Sequence, residues 1–247
     1  MENTIIELKQ KFIKIKKLGW IKSLKNGKGN IGLTFEELLG LTNNQFEIPD
    51  FYGIEIKTKR KNSISYITLF SATPDGPHFH EVERLKNKYG YPHSRCKEYK
   101  VLNNSIFANK KSKIGLFYYF KLNVDNNSQK IFLNIFDLKG NLIEDEVFWY
   151  FDTLKEKIYR KLQILAFIRA DSQILNGYEY FKYQSMEIFI LKNFDTFIQL
   201  IKTGVIRVSF KISVFLSGPK KGKIYDHGTS FEILENDLTK LYIKNTI

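Results

Sequence analysis

Apolar residues recur at helical spacing in five stretches of the chain. Near the N-terminus they lie about one turn apart with lysines between them, which is typical of an amphipathic helix. The pattern Thr34-x-x-Glu37 predicts a capping box at the start of a second helix and puts Glu36 in its first turn. The predicted helices are 3–18, a segment starting at Thr34, 84–91, 153–167 and 187–202.

Other stretches alternate between apolar and polar residues, which predicts strands. The central one begins at Gly53: Ile54 and Ile56 face the core, and Glu55 and Lys57 lie side by side on the opposite face. Residues 65–70 are expected to pair with this strand. Further strands are predicted at 113–123 and 129–137, as a hairpin, and at 147–151, 206–215 and 229–234.

The central strand carries candidate chemistry. Asp50 lies just upstream of Glu55 and Lys57, so two carboxylates and an ammonium converge at its start. Mg²⁺ is usually held by one or two carboxylates together with waters and phosphate oxygens, and such a metal activates water for attack on a phosphate. The alternative is a surface strand with an ordinary Glu–Lys pair, worth ~0–1 kcal/mol. Glu36 could face this site or serve the helix dipole.

Composition and charge narrow the class of protein. The chain has 247 residues, 43% of them hydrophobic, which is enough for one large domain or two lobes. The formal charge of +13 favours a polyanionic partner, nucleic acid before a membrane surface, although an AT-rich genome would also raise the lysine content. The single cysteine, Cys96, excludes an internal disulfide and a cysteine zinc cage. With no long apolar run, a soluble bacterial cytoplasmic protein without membrane contact is expected.

Basic and aromatic loops are candidates for contact with a nucleic acid. The glycine- and lysine-rich run 25–32, the basic turn 59–62 and the loop 217–228 could approach phosphates closely, and ordinary solvated loops are the alternative interpretation. His78 and His80 could also suggest zinc with Glu83, but further ligands at a clear spacing are missing. The candidates are Lys28, Lys59, Arg60, His78, His80, Lys220, Lys221, Lys223, Tyr225 and His227.

Three motifs resemble one known family. They are Gly32-Leu33-Thr34-Phe35-Glu36-Glu37-Leu38-Leu39; Pro49-Asp50 through Ile54-Glu55-Ile56-Lys57-Thr58, with Thr68-Leu69-Phe70; and Ser217-Gly218 to Lys223, with Asp226-His227-Gly228-Thr229. Together they resemble the MvaI/BcnI family of type II restriction endonucleases, which belongs to the PD-(D/E)XK nucleases. The resemblance covers nearly the whole chain, with gaps around 71–112 and 168–200, and Pro219 interrupts the lysine run.

The resemblance implies an α/β fold, with a mixed central sheet flanked by helices and a cleft between two lobes. We expect a catalytic lobe at 1–152 and a DNA-recognition lobe at 153–247. It implies that Asp50 and Glu55 bind Mg²⁺, with Mn²⁺ as a substitute, that Lys57 positions the attacking water and that Glu36 supports the site. Lys211 and Asp226 join the candidates for DNA contact, and His227 matches or resembles a family position.

The same resemblance implies a monomer that cleaves double-stranded DNA at a short CC-x-GG-like site, nicking one strand and then the other. A cognate DNA methyltransferase is expected in the same system, without a stable complex. Two alternatives are a MutH-like repair nickase, in which the aspartate lies further from the Glu-x-Lys than the four intervening residues seen here, and a catalytically inert DNA-binding module. The four charged residues at the site argue against the inert module, because carboxylates repel phosphate.

Overall fold

The protein is described by a computed structural model that covers residues 2–24, 30–41 and 48–245. Its α-helices are α1 (Glu2–Lys17), α2 (Asn30–Leu38), α3 (Glu81–Tyr89), α4 (Phe151–Lys161), α5 (Phe194–Lys202) and α6 (Leu238–Leu241). Its strands are β1 (Ile21–Lys22), β2 (Ile54–Arg60), β3 (Ile67–Ser71), β4 (Tyr91–Pro92), β5 (Lys100–Ile106), β6 (Ser112–Ile114), β7 (Tyr118–Asp125), β8 (Lys130–Phe136), β9 (Leu142–Tyr150), β10 (Ile164–Leu175), β11 (Tyr178–Leu191), β12 (Arg207–Val214), β13 (Ile224–Asp226), β14 (Ser230–Ile233) and β15 (Tyr242–Asn245). The architecture is mixed α+β. Over the described ranges, no helix is long and apolar enough to cross a membrane.

The chain forms two compact units, each built from separate stretches of sequence. The first comprises Met1–Ser65, Lys157–Lys192 and Thr239–Ile247, and the second comprises Tyr66–Glu156 and Asn193–Leu238. The division expected at 152/153 is a single cut. In the structure the chain passes from one unit to the other at 65/66, 156/157, 192/193 and 238/239. Each unit is therefore assembled from segments that are distant in sequence.

The first unit contains a mixed sheet with strand order β1-β11-β10-β2, and β15 also pairs with β11. Strand β2 runs parallel to β10, whereas β10 and β11 form a long antiparallel hairpin. Helices α1 and α2 cover one face of this sheet, where their apolar stripes pack in a common core with Ile54 and Ile56. The predicted burial of these two isoleucines is confirmed, and Glu55 and Lys57 consequently lie on the other face.

The second unit contains two sheets. One has the order β3-β14-β12-β5-β4, with β13 added to β12, and the other has the order β6-β7-β8-β9. Its core is rich in aromatic side chains: Phe70 stacks on Phe231, and the buried Trp149 donates its indole N–H to the carbonyl of Ala72 at 3.0 Å. The hairpin predicted from strands 113–123 and 129–137 is confirmed as β7 and β8, although residues 115–117 separate β7 from β6. The strands predicted near 147–151, 206–215 and 229–234 are confirmed.

Several predictions of secondary structure are wrong. Strand β3 pairs with β14 in the second unit and not with the central strand β2. The helix predicted at 153–167 ends at Lys161, and the helix predicted at 187–202 begins at Phe194. The apolar runs Ile164–Ile168 and Ile188–Leu191 belong to β10 and β11 instead. Ile164–Ile168 is buried at every position, and a strand buried on both faces has a continuous apolar sequence that cannot be told from a buried helix by its spacing.

Helix α2 also differs from its prediction. It begins at Asn30, so Thr34 is an interior residue with a buried hydroxyl and not a cap, and Glu36 lies beyond the first turn. Phe35 and Leu39 pack inward as predicted, but Leu38 is exposed. Residues 30–32 of the predicted glycine- and lysine-rich run 25–32 therefore belong to α2, and residues 25–29 lie outside the described ranges.

Candidate active site

A tight turn sets the direction of the central strand. Phe51 and Ile54 exchange two backbone hydrogen bonds of 2.8 and 2.9 Å around Tyr52 and Gly53, and both of these residues have positive φ angles of 43° and 94°. Such a pair of left-handed residues is typical of a type I′ hairpin turn, in which glycine is the favoured second residue. The turn folds Asp50 back beside β2, where its Oδ2 accepts a 2.8 Å hydrogen bond from the backbone N–H of Ile56.

Glu55 is the most buried charged group of the site. Its residue is only 1% exposed, and its Oε1 accepts a 2.6 Å hydrogen bond from the Lys57 ammonium. Its Oε2 is buried without a hydrogen-bond partner among the described residues. Burial raises the pKa of Glu55, while the positive charge of Lys57 acts in the opposite direction. Because the carboxylate is fully buried, an ordinary surface Glu–Lys pair does not describe this site.

Glu36 belongs to the same electrostatic cluster. Its pKa is raised, first by burial and then by the negative charges of Asp50 and Glu55, while the charges of two lysines lower it. Helix α2 packs closely on β2 at this point: an added Cβ at Gly32 would lie 3.2 Å from the Thr58 hydroxyl oxygen. The structure therefore brings together the four residues predicted for catalysis, Glu36, Asp50, Glu55 and Lys57.

Sequence reasoning missed two neighbours of this cluster. Lys161, at the end of α4, has its ammonium 3.4 Å from Glu55 Oε1. Tyr242, from β15, has a buried hydroxyl without a hydrogen-bond partner in the described structure, and burial and the Glu55 charge raise its pKa. Nothing in the local sequence of either residue marks it, since both depend on pairing between distant strands.

The carboxylates of Asp50 and Glu55 suit a hard cation whose remaining ligands are water molecules and phosphate oxygens. Across residues 2–24, 30–41 and 48–245, no three His, Cys, Asp or Glu side chains are grouped so as to hold a metal without other ligands. Mg²⁺ commonly binds only one or two carboxylates and completes its shell with water and phosphate. The unpartnered Oε2 of Glu55, close to the charge of Asp50, fits this mode of binding. His78, His80 and Glu83 form no such group either.

The basic residues that follow the site on β2 are engaged within the protein. Lys59 and Arg60 belong to the strand and not to a turn, contrary to the prediction. Lys59 is buried and its ammonium donates a 2.8 Å hydrogen bond to the carbonyl of Ser65. The Arg60 guanidinium makes two hydrogen bonds, of 2.8 and 2.9 Å, to the carboxylate of Glu179. DNA contact by either side chain stays a prediction.

Lys211 of the second unit is also paired. Its ammonium lies 2.5 Å from Oε1 of the buried Glu232, whose Oε2 accepts two hydrogen bonds from the Arg207 guanidinium. Burial raises the pKa of Glu232, but the two cations outweigh this effect and lower it. Glu232 is therefore an ionised anchor that fixes two basic side chains on β12.

The remaining candidates in the second unit are exposed. A pocket of about 290 Å³ is lined by His80 from the segment before α3 and by Asp226 from β13, so the structure brings these two candidates together. The ring of Tyr225 lies 4.1 Å from that of His227. The lysines 220, 221 and 223 and His78 are exposed as well. Lys28 lies outside the described residues.

Comparison with known proteins places these features in a family. The profile of the MvaI/BcnI restriction endonuclease family matches residues 9–242. The structure of restriction endonuclease MvaI in complex with its cognate DNA substrate is 32% identical, with 99% of this chain and 98% of that chain covered and a TM-score of 0.91. MvaI in the absence of DNA has the same identity and coverage, with a TM-score of 0.64. No curated protein matches the chain.

The match over nearly the full length defines the class: the protein is a restriction endonuclease, a site-specific deoxyribonuclease. The chain belongs to the MvaI/BcnI restriction endonuclease family. Type II restriction endonucleases generally use divalent metal ions. Of the functions considered from the sequence, the restriction endonuclease is thus confirmed over the repair nickase and the inert binding module.

Proposed function

We propose that this protein hydrolyses phosphodiester bonds of double-stranded DNA with Mg²⁺ bound by Asp50 and Glu55, in a PD-(D/E)XK type of active site. The observation that carries the proposal is the Glu55 carboxylate, which is buried, holds Lys57 with one oxygen and leaves the other without a partner among the described residues. A buried, unsatisfied carboxylate oxygen is costly, and a bound cation compensates for it.

The residues of the cluster have separate roles in this proposal. Mg²⁺, when bound, polarises the phosphate and stabilises the charge that develops on it. Lys57, held by Glu55 Oε1, orients the attacking water and donates a hydrogen bond to it. Glu36 supports the site as the carboxylate carried by α2. Asp50 is positioned by the Ile56 N–H, so one of its oxygens is fixed by the backbone.

The second unit supplies the DNA recognition surface in this proposal, and the first unit supplies catalysis. This assignment is supported by the location of the carboxylate cluster in the first unit and of the exposed lysines and histidines in the second. MvaI has been solved with its cognate DNA substrate, and duplex DNA is the substrate proposed here. A short CC-x-GG-like site, a monomeric enzyme that nicks one strand at a time, a separate cognate methyltransferase and a bacterial cytoplasmic location are parts of the same proposal.

Cleavage of supercoiled plasmid with Mg²⁺, followed by sequencing of the product ends, tests the proposal. We expect discrete fragments that share one site, formed through a nicked intermediate. Plasmid that stays intact with Mg²⁺, Mn²⁺ and other divalent ions would refute the catalytic proposal. Ca²⁺ in place of Mg²⁺ should strengthen DNA binding without supporting cleavage. A DNA affinity that is the same with and without Ca²⁺ would argue against a metal bridge to phosphate.

A further inference from the structure

Two neighbouring loops of the second unit carry a concentration of positive charge. They span residues 93–99, which connect β4 to β5, and residues 218–223, which follow β12, and we call them the basic loop pair. The sequence had singled out only the second loop. The exposed cations of the basic loop pair are Arg95, Lys97, Lys220, Lys221 and Lys223. The one acidic residue of the two loops, Glu98, accepts a hydrogen bond from the Cys96 thiol.

The two loops pack directly on each other. Gly222 has a φ of +80°, and an added Cβ there would lie 3.3 Å from the Tyr99 hydroxyl and 3.4 Å from its ring. The Lys221 charge also acts on Cys96, which lies between Arg95 and Lys97. The first loop is held in shape by its backbone, because His93 donates to the carbonyl of Tyr99 at 2.8 Å. The cations of both loops therefore lie on one continuous surface.

Four of the five cations of this surface differ in their ion pairing from basic residues elsewhere in the second unit and on β2. Lys211 and Arg207 both pair with Glu232, and Arg60 pairs with Glu179. By contrast, Arg95, Lys97, Lys221 and Lys223 have no ion pair within the described parts of the chain. Like charges held together repel each other, and a polyanion that binds across them removes this repulsion.

We propose that the basic loop pair is a binding site for the phosphate backbone of duplex DNA, with Arg95 and Lys97 as contacts in addition to the lysines of 220–223. The proposal rests on the proposed function, because it supplies that enzyme with a further DNA-binding surface. Contacts to phosphates fix register and orientation without reading sequence. This surface therefore binds any duplex, and it sets the salt dependence of binding more than the choice of site.

Binding of an arbitrary duplex of about 30 base pairs at several KCl concentrations tests this. Each phosphate contact contributes about 0.9 to the slope of log K against log salt concentration, so Arg95→Ala with Lys97→Ala should reduce the slope by about 2 and weaken binding on the order of 10- to 100-fold near 0.1 M. Lys14→Ala with Lys16→Ala is the matched control, since these exposed lysines lie on α1, which covers the sheet face opposite to Glu55.

The outcomes separate the two proposals. If wild-type protein binds no duplex at any salt concentration, both proposals are refuted. If wild type binds and the Arg95/Lys97 variant keeps the slope of the control, only the loop-pair proposal is overturned. It is equally overturned if the variant loses binding to vesicles of anionic phospholipid but keeps its DNA affinity, which would point to a membrane surface.

Cys96 offers a second readout in the unmutated protein. It is the only cysteine and is partly exposed between the two proposed contacts, so a maleimide reports on this loop alone. Saturating duplex DNA should slow its alkylation at least several-fold, and addition of 1 M KCl, used here as roughly full screening, should restore the rate. An alkylation rate that DNA leaves unchanged would contradict contact at this loop.

Discussion

The Lys57 ammonium donates a 2.6 Å hydrogen bond to Oε1 of Glu55, a carboxylate that is almost inaccessible to solvent. The two residues are separated by one position on β2, so their side chains leave the same face of the strand. The lysine is thereby fixed in position by the carboxylate that is proposed to hold the metal. Positioning of the water and binding of the cation are thus coupled through one oxygen atom of Glu55.

Lys57→Ala should abolish most cleavage while leaving DNA binding intact. Loss of a positioned group that orients the nucleophile typically costs about 10²–10⁴-fold in rate. Single-turnover cleavage of plasmid and a filter-binding assay in Ca²⁺ measure the two effects separately. Lys14→Ala on α1 is the control. A Lys57→Ala enzyme that cuts as fast as wild type would remove this lysine from the mechanism.

Lys161→Ala should slow cleavage less than Lys57→Ala, by roughly fivefold, since a partly buried charge pair near the site is worth about 1 kcal/mol. Its ammonium is 3.4 Å from Glu55 Oε1, a distance that indicates charge support and not a direct hydrogen bond. Lys155→Ala, an exposed lysine on the same helix, is the matched control. Equal rates for the two variants would show that Lys161 has no role.

Glu55→Gln should raise thermal stability in the absence of metal while abolishing cleavage. The folded protein raises the pKa of Glu55 through burial, so the ionised carboxylate destabilises the fold once the pH exceeds the ordinary pKa of 4.5. We expect a Tm gain at pH 7 of a few degrees, about 1 kcal/mol, that disappears as the pH falls towards ~4.5.

Mg²⁺ provides the complementary measurement for the same variant. It should raise the Tm of the wild type but not of Glu55→Gln, and Glu37→Gln, on the exposed side of α2, should behave as wild type. A Mg²⁺-dependent Tm shift that survives in Glu55→Gln would place the metal elsewhere.

Glu144→Gln should make the protein less sensitive to acid. Burial alone would raise the pKa of Glu144, but hydrogen bonds from Arg84, Lys88 and Tyr89 outweigh it and lower the pKa to about 2. Because this pKa is depressed on folding, its stabilisation is present above the unfolded value of 4.5 and is lost as the pH falls towards 2.

The Glu144→Gln variant should therefore lose about 1–2 kcal/mol at pH 7, after allowance for screening of the partly exposed lysine, and nothing near pH 2. Urea unfolding at several pH values measures this. Glu146→Gln, two residues along the same strand and exposed, should leave the stability unchanged. A loss for Glu144→Gln that is independent of pH would indicate lost packing and not lost charge.

The order of apolar and polar residues was sufficient to predict the catalytic strand β2, but it was insufficient to predict its partner strand β10. The alternation from Ile54 is a local feature, and it predicted which residues face the core. The partner strand β10 begins with the continuous apolar run Ile164–Ile168, whose spacing does not distinguish a buried strand from a helix. Lys161 was missed for the same reason, since its place beside Glu55 follows from the pairing of β10 with β2.

One overlooked signal was local. Asn193 caps α5, with its side-chain oxygen accepting a 2.8 Å hydrogen bond from the N–H of Thr196. An asparagine before a periodic apolar stretch is a common start of a helix, so the predicted helix 187–202 could have been shortened from the sequence. The pairing of Arg60 with Glu179, in contrast, joins residues 119 positions apart and had no local signal.

The parallel pairing of β2 with β10 has a consequence for synthesis of the enzyme. Ile54 pairs with Ile164, so β2 cannot form this pairing until β10 has been synthesised, about a hundred residues later. Most of the second unit has been synthesised by then. A chain that stops before residue 164 contains Asp50, Glu55 and Lys57 but neither that partner strand nor β15. We expect such fragments to be unfolded and unable to cleave DNA. Nuclease activity would then appear only in chains that also contain the second unit, which is proposed to restrict cleavage to one site.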